Sequence, residues 1–332
     1  MTTIPTTKNP AAGLGRDGAL RRFEDVREML PDIDNPTPML RVARVMPETA
    51  PPLYLKLEWL NPFGSIKDRT AAYLLADLEE RGLLAGREIV EASSGNTAIA
   101  LAALAALTGT HVTVTIPDGV PVEKQVLLRM LGAEVWPTPD DLCPVDNPKD
   151  GAIALARSLA ASFGGSRYVM PDQYGNPANV TAHYETTGPE IWRQTEGRVR
   201  AFVAGYGTCG TITGVGRFLK EQDSSIRVIA VEPQKGHRLP GLKSFAEASI
   251  PSILDTGVID EVIRVDDGPA YEMTKRLFRE EGLMVGPSTG AIVHAASTLT
   301  GDGPVVGVSP DSGLKYASYF ADILGNEGQP TL

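Results

Sequence analysis

A chain of 332 residues, 42% of them hydrophobic, can bury a substantial core and is long enough for two domains or one large one. Its formal net charge of −10 argues against a nucleic-acid partner, which needs a basic surface. The longest apolar run, "AIALAALAAL" at 98–107, is too short to cross a membrane and reads as a buried helix.

The first twenty residues are polar, lack the apolar run of a secretion signal, and read as a disordered lead-in, 1–20. Beyond them, short β-branched runs predict strands at 53–58, 87–93, 111–117, 133–138, 167–171, 201–207, 227–233, 261–267 and 304–310. Helix-period segments fall between them, among them 65–82, 97–108, 121–131, 179–196, 211–221 and 268–282. This alternation predicts an α/β fold of βαβ units in two largely parallel sheets, with a boundary near 165. Ligands of such folds bind beyond the carboxyl ends of strands.

Cys143 and Cys209 cannot build a disulfide framework and suit a reducing cytoplasm. Histidines at 111, 183, 237 and 294 lie far apart, and the cysteines show no ligand spacing, so neither a zinc site nor a histidine-based triad is expected. His183 and His294 fall in helix-like stretches, where packing or surface roles are common.

Four segments stand at strand-to-helix junctions. In "NPFGSIKDR" (61–69), Gly64 permits a sharp turn, Ser65 is a candidate N-cap, and Lys67 follows in the first helical turn. The helix dipole there disfavours a cation and lowers the lysine pKa, which suits attack on a carbonyl by a neutral amine. The same fragment also fits a solvent-facing lysine. In "EASSGNTAIALA" (91–102), Ser93, Ser94, Gly95, Asn96 and Thr97 open an apolar helix, more polar groups than capping alone requires, and suit a carboxylate. In "AGYGTCGTITGVG" (204–216), glycines and the Thr208 and Thr211 hydroxyls suit a phosphate. Gly205, Gly207 and Gly210, with Glu232 ending the next strand, fit a dinucleotide site equally well. The fourth segment, "VSPDSGLKYASYF" (308–320), is on its own an ordinary turn.

In order and spacing these segments, with "DQYGNPAN", "HYETTGPEIW" and "GPSTGA", resemble the fold-type II pyridoxal-phosphate enzymes of the cysteine synthase and cystathionine β-synthase group, over residues 35–320. A dinucleotide site leaves Lys67, Ser93–Thr97 and Ser312 without a role. The resemblance implies a tryptophan synthase β-like fold of two three-layer domains. A smaller, movable domain (61–167) would carry the carboxylate loop, and a larger one (21–60 plus 168–332) the phosphate loop. By the same resemblance Lys67 carries pyridoxal 5′-phosphate as a Schiff base and later serves as general base. Asn96 holds its 3′-oxygen, and Gly207, Thr208, Gly210 and Thr211, with the Cys209 backbone, bind its phosphate. Ser312 meets the pyridine nitrogen, while Gly286 and Ser288 line the remaining edge. Ser93, Ser94, Thr97 and Gln173 take the substrate carboxylate. A neutral hydroxyl at the ring nitrogen moderates the electron sink and suits β-elimination; a carboxylate from Asp311 there would reverse that.

The activity implied is β-replacement on an activated L-serine with sulfide, through an α-aminoacrylate, giving L-cysteine. The partners implied are a small amino acid, a small nucleophile and a second copy of the chain, with no nucleic acid or membrane. Relatives that use O-acetylserine often carry a G-A-G-F-I-P loop after the Glu-Pro; here "VEPQKGHRLPGLKSFAEASIP" is basic at Lys235, His237, Arg238 and Lys243. Lys243 or Arg238 could neutralise the phosphate of O-phosphoserine, although a solvated basic loop reads the same way. Cystathionine β-synthase, 2,3-diaminopropionate synthase and a catalytically silent binding member of the fold are the alternatives. Cys209, near a helix N-terminus, is expected to have a lowered pKa, or merely to fill a glycine-like position.

Overall fold

The computed structural model describes residues 22–93, 95–139 and 151–324; the lead-in 1–20, Ser94 and Cys143 lie outside them. The chain begins with β1 (Met39–Val42) and β2 (Leu53–Leu57), paired antiparallel, and α1 (Lys67–Glu80). A run of β3 (Glu88–Ala92), α2 (Asn96–Ala106), β4 (Val112–Pro117), α3 (Val122–Met130), β5 (Glu134–Thr138), α4 (Ala152–Ala161) and β6 (Tyr168–Val169) follows. Its strands form a parallel sheet in the order β5-β4-β3-β6.

Next come α5 (Ala178–Ala182), a π-helical turn His183–Thr187 and α6 (Gly188–Gln194), then β7 (Ala201–Gly205), α7 (Gly210–Gln222), β8 (Arg227–Pro233) and β9 (Glu261–Val265). The chain finishes through α8 (Asp267–Arg276), α9 (Pro287–Ser297), β10 (Val305–Ser309) and α10 (Ala317–Leu324). A second sheet has the order β1-β2-β10-β7-β8-β9 and is parallel except at β1.

The strands read from β-branched runs all form, each within two residues of the expected ends. β1, which the sequence pattern does not predict, is a four-residue edge strand whose Leu40 and Arg41 face solvent. β6 pairs with β3, which carries the four-stranded sheet to Val169. The inner strands need no polar face, because helices cover both sides. Every residue of β4 and of β10 is buried. Leu53, Leu55, Ile292 and Val305 pack on one face of the larger sheet, and Phe202, Ile212, Val228 and Val306 on the other. Each such aliphatic or aromatic side chain contributes roughly 1.5–3 kcal/mol on burial. Among the described residues, no helix is long and apolar enough to cross a membrane.

Candidate active site

A cleft opens beyond the carboxyl ends of β3, β4, β7 and β10, so both sheets contribute to it. Its lining brings together Lys67, Ser93, Asn96, Thr97, Gln173, Gly207, Thr208, Cys209, Thr211 and Lys243, residues far apart in sequence.

Lys67 is the first residue of α1. Ser65 stands just ahead of the N-cap position, and its hydroxyl accepts the Lys67 backbone N–H at 3.2 Å. Asp68 accepts from the Phe63 N–H at 2.6 Å, and the Ile66 N–H donates to Pro310 O at 2.8 Å, tying the turn to the end of β10. Deeper in α1, the Arg69 guanidinium donates to Glu58 at 2.8 Å and to Glu190 at 2.5 Å, while Lys56 lies 2.6 Å from Glu190. Burial alone would raise the Glu58 carboxyl, but Arg69 overrides it and holds it near 2. This buried, charge-balanced network clamps α1 to β2 and α6, and removing one partner costs about 3–5 kcal/mol.

The Lys67 amine lies 3.4 Å from Thr208 Oγ1. Its pKa falls from the ordinary lysine value to about 8, chiefly through burial, with Cys209 and Asp311 partly offsetting the shift. The direction expected from the helix dipole is found, but desolvation is the main cause.

The β7–α7 loop turns on Cys209, which has φ +67°. Among the described residues, the backbone N–H groups from Gly207 to Ile212 find no acceptor within the chain, so they remain available to an anion. The cradle is tight: a Cβ on Gly207 would come within 2.9 Å of Gly241 O, and one on Gly210 within 2.1 Å of Asn179 Oδ1. Asn179, from the "DQYGNPAN" segment, also donates to Thr208 Oγ1 at 3.0 Å and to Gln173 O at 2.8 Å. Behind the loop, His183 Nε2 meets Thr211 Oγ1 at 3.2 Å and Thr70 Oγ1 at 3.3 Å. Burial, then Lys67 and Arg69, push the His183 pKa well down, so the imidazole is neutral. The sequence alone points to no role for Asn179 and only to a packing or surface role for His183. Their spacing carries no local cue, and only contacts with distant residues reveal them. Burial lifts the Cys209 thiol to about 12, opposite to the lowering expected at a helix N-terminus.

The β3–α2 loop is arranged differently. Gly95 takes φ +119°, and a Cβ there would meet the Lys124 stem at 2.6 Å. Ser93 Oγ accepts the N–H groups of Gly95 at 3.1 Å and Ala98 at 3.2 Å. Thr97 donates to Gln173 Oε1 at 2.6 Å, and Gln173 donates onward to Ala92 O at 2.7 Å. Glu91, at the end of β3, accepts the Asp172 N–H at 2.8 Å, which fixes the segment carrying Gln173.

The C-terminal turn departs from expectation. The Ser312 hydroxyl accepts the Leu314 N–H at 3.2 Å, caps the turn Gly313–Tyr316 and is not among the cleft-lining residues. Asp311 and Ser288 line the cleft instead. Asp311 Oδ1 is buried without a hydrogen-bond partner among the described residues. Gly286 caps α9 and leaves no room for a side chain, since its Cβ would lie 2.1 Å from that same oxygen. Lys243 does line the cleft, its amine 5.3 Å from the centre of the Tyr174 ring. Arg238 does not: it is exposed, its guanidinium lies over Tyr319, and its backbone N–H donates to Asp267 at 2.8 Å.

A buried amine of lowered pKa, an open cradle of N–H groups and hydroxyls whose Thr208 Oγ1 lies 3.4 Å from it, and polar groups on the opposite wall suit an aldehyde-bearing aromatic phosphate. The residues present therefore fit pyridoxal phosphate. Comparison with known proteins agrees. Residues 31–311 match the family described as pyridoxal-phosphate dependent enzyme. The chain is 38% identical over 295 residues to cysteine synthase B of Salmonella typhimurium, spanning 88% of this chain and 94% of that protein. It is 42% identical over 302 residues to a probable cysteine synthase of Bacillus subtilis, spanning 86% and 95%. The crystal structure of O-ureido-L-serine synthase superposes with a TM-score of 0.82 at 34% identity, covering 93% of this chain and 98% of that one. The chain belongs to the pyridoxal-phosphate-dependent enzyme family.

Proposed function

We propose that the chain is a pyridoxal-phosphate-dependent cysteine synthase, replacing the β-substituent of an activated L-serine with sulfide. The observation that carries this reading is the meeting, in one cleft, of the Lys67 amine, the open N–H groups of the β7–α7 loop and the Ser93–Thr97–Gln173 cluster. Relatives named cysteine synthase, matched over most of their length, support the choice of sulfide as nucleophile.

In this reading the N–H groups of Gly207–Ile212 and the Thr208 and Thr211 hydroxyls hold the cofactor phosphate, and Asn96 meets its 3′-oxygen. Ser288, which lines the cleft where Ser312 does not, would be the hydroxyl available to the ring. Ser93, Thr97 and Gln173 orient the substrate carboxylate. When bound, the cofactor supplies an aldehyde for the substrate amine and an electron-withdrawing ring that acidifies the Cα–H. Lys67 Nζ, neutral in a large fraction of molecules near pH 8, takes the Cα proton as the β-substituent departs and returns a proton to Cα after sulfide adds at Cβ.

Lys243, the basic residue of the 235–243 loop that reaches the cleft lining, points to O-phospho-L-serine as donor. The test compares kcat/KM for O-phospho- and O-acetyl-L-serine with sulfide, in wild type and Lys243→Ala. A charge-assisted hydrogen bond is worth about 1.5–3 kcal/mol, so the phosphoserine value should fall about tenfold to a hundredfold while acetylserine changes little. Equal losses on both donors, or none, remove the phosphoserine assignment; absence of cysteine from either donor removes the cysteine synthase reading. A second copy of the chain is the proposed cover for the exposed apolar groove around Leu127, Met130, Met284 and Leu314, which sedimentation would read as a dimer. A cytoplasmic setting suits the free, buried Cys209 thiol.

A further inference from the structure

Behind Asn96 lies a set of buried polar groups that the reaction outlined above does not use. Asn96 Nδ2 donates to Asp311 Oδ2 at 2.7 Å, and Lys315 Nζ donates to Asn96 Oδ1 at 3.4 Å and to Phe63 O at 2.9 Å. Tyr316 donates its hydroxyl hydrogen to the same Asp311 oxygen at 2.5 Å. Lys124 Nζ donates to the Tyr316 oxygen at 2.8 Å and stands 3.9 Å from Asp311 Oδ2. Asp311, Lys315, Tyr316 and Lys124 are buried, and the Lys124 stem also underlies Gly95.

The direction of every bond in this set is fixed by chemistry. An ammonium only donates and a carboxylate only accepts, so protonated Lys124 donates to the tyrosine and the tyrosine's one hydrogen goes to Asp311. Asp311 then presents a pure acceptor to one side of the Asn96 amide, and Lys315 a pure donor to the other. A flipped amide would set NH₂ against an ammonium and C=O against a carboxylate. Asparagine amides are otherwise close to symmetric in shape, so the charged neighbours, with the Tyr316 hydroxyl that also meets the Asn96 side chain, select one orientation.

We propose that Asp311 and Lys315, seated by Tyr316 and Lys124, are positioning residues that lock the Asn96 amide in one orientation toward the 3′-oxygen of the cofactor. The inference rests on the assignment of Asn96 to that oxygen. It also gives Asp311 a task other than contact with the ring nitrogen. Lys124 and Asn96 come from the segment that builds the four-stranded sheet, and Asp311, Lys315 and Tyr316 from the far end of the chain, so the lock joins the two halves of the cleft.

The experiment reads the visible absorbance bands of the holoenzyme and its cofactor dissociation constant, with the unfolding temperature as a control. Asp311→Asn substitutes an amide that can rotate and donate, freeing Asn96 to turn. It should alter the ratio of the cofactor's absorbance bands and raise the dissociation constant about tenfold, or ~1.4 kcal/mol. Lys315→Met should move both readings the same way by less, and Lys315→Arg should restore them. A lowered unfolding temperature with wild-type absorbance in both Asp311→Asn and Lys315→Met leaves the cluster a purely structural role and overturns the proposal. Asn96→Ala separates the two levels. If it too leaves the bands unchanged, the 3′-oxygen assignment fails and the lock falls with it. If it changes them while the neighbours' variants do not, the lock alone fails.

Discussion

The cleft contains two loops of the same plan, each a strand running through a polar turn into a helix N-terminus, and they differ in how many of their backbone donors they leave open. From Gly207 to Ile212 the N–H groups stand open. In the β3–α2 loop, Ser93 already accepts from Gly95 and Ala98. The first is a standing receptor, held rigid by Asn179 and His183 from behind and ready for an anion that stays. The second already satisfies part of its donors through Ser93, so among the described residues a ligand there meets the Asn96 and Thr97 N–H groups and competes with bonds the loop makes internally. Such an arrangement suits a group that comes and goes. A resident cofactor and a substrate turned over in each cycle make those two demands.

The contrast is most severely tested at Gly210. Its absent side chain leaves room for Asn179 Oδ1, and Asn179 cannot retreat because it is bonded to Thr70 at 3.0 Å, to Thr208 and to Gln173 O. Overpacking of this kind costs about 1–3 kcal/mol. In Gly210→Ala the cradle must therefore deform, and the cofactor dissociation constant should rise about tenfold to a hundredfold, measured by fluorescence titration of apoprotein. Unchanged cofactor binding would mean that the loop is adaptable, and the distinction between rigid and partly self-satisfied loops would not stand.

Ser93→Ala probes the other loop and should have a smaller effect. It strips an acceptor from two N–H groups at the head of α2, a loss similar to that of an N-cap at about 0.5–2 kcal/mol. It also removes a hydroxyl from the proposed carboxylate site. KM for the amino-acid donor should rise about tenfold, with kcat changing far less and cofactor affinity unchanged. Cofactor affinity falling in step with KM would show that the loops act as one unit and not as two.

Parts of this site were legible in the sequence because their logic is local. A strand, a glycine-bearing turn and an apolar helix are read from neighbouring residues, and so the Lys67, Ser93 and Gly207 segments were found at their correct elements. The C-terminal turn was not. Between Asp311 and Ser312 one residue of register decides which side chain enters the cleft, and the hydroxyl is claimed by the Leu314 N–H, a choice set by the chain's path. The basic loop divides for a similar reason. Arg238 is held outside by Asp267, Tyr271 and Tyr319, whereas Lys243 remains at the cleft. For Lys67 the sequence gives a helix start but not the depth of burial, so it points to the dipole when desolvation is the larger cause.

Cys209→Gly is expected to change least, because its consequences oppose one another. A non-glycine residue at φ +67° costs about 1–2 kcal/mol, which glycine would relieve. Glycine also brings a more flexible unfolded chain, worth about 0.4–1 kcal/mol against the fold, and gives up the apolar contact of a buried thiol packed with Ile66 and Ile212. The unfolding temperature should thus stay within about 3 °C of wild type, as a sub-kcal/mol net change implies for a chain of this length. Cofactor affinity should be unaffected, since the cradle binds through backbone N–H groups and the Thr208 and Thr211 hydroxyls, which the substitution preserves. The thiol, lifted to about 12 by burial, should also resist alkylation near neutral pH in the native wild type. A tenfold loss of cofactor affinity in this variant would make the cysteine side chain part of the receptor. The β7–α7 loop would then depend on the Cys209 side chain in addition to its two threonine hydroxyls.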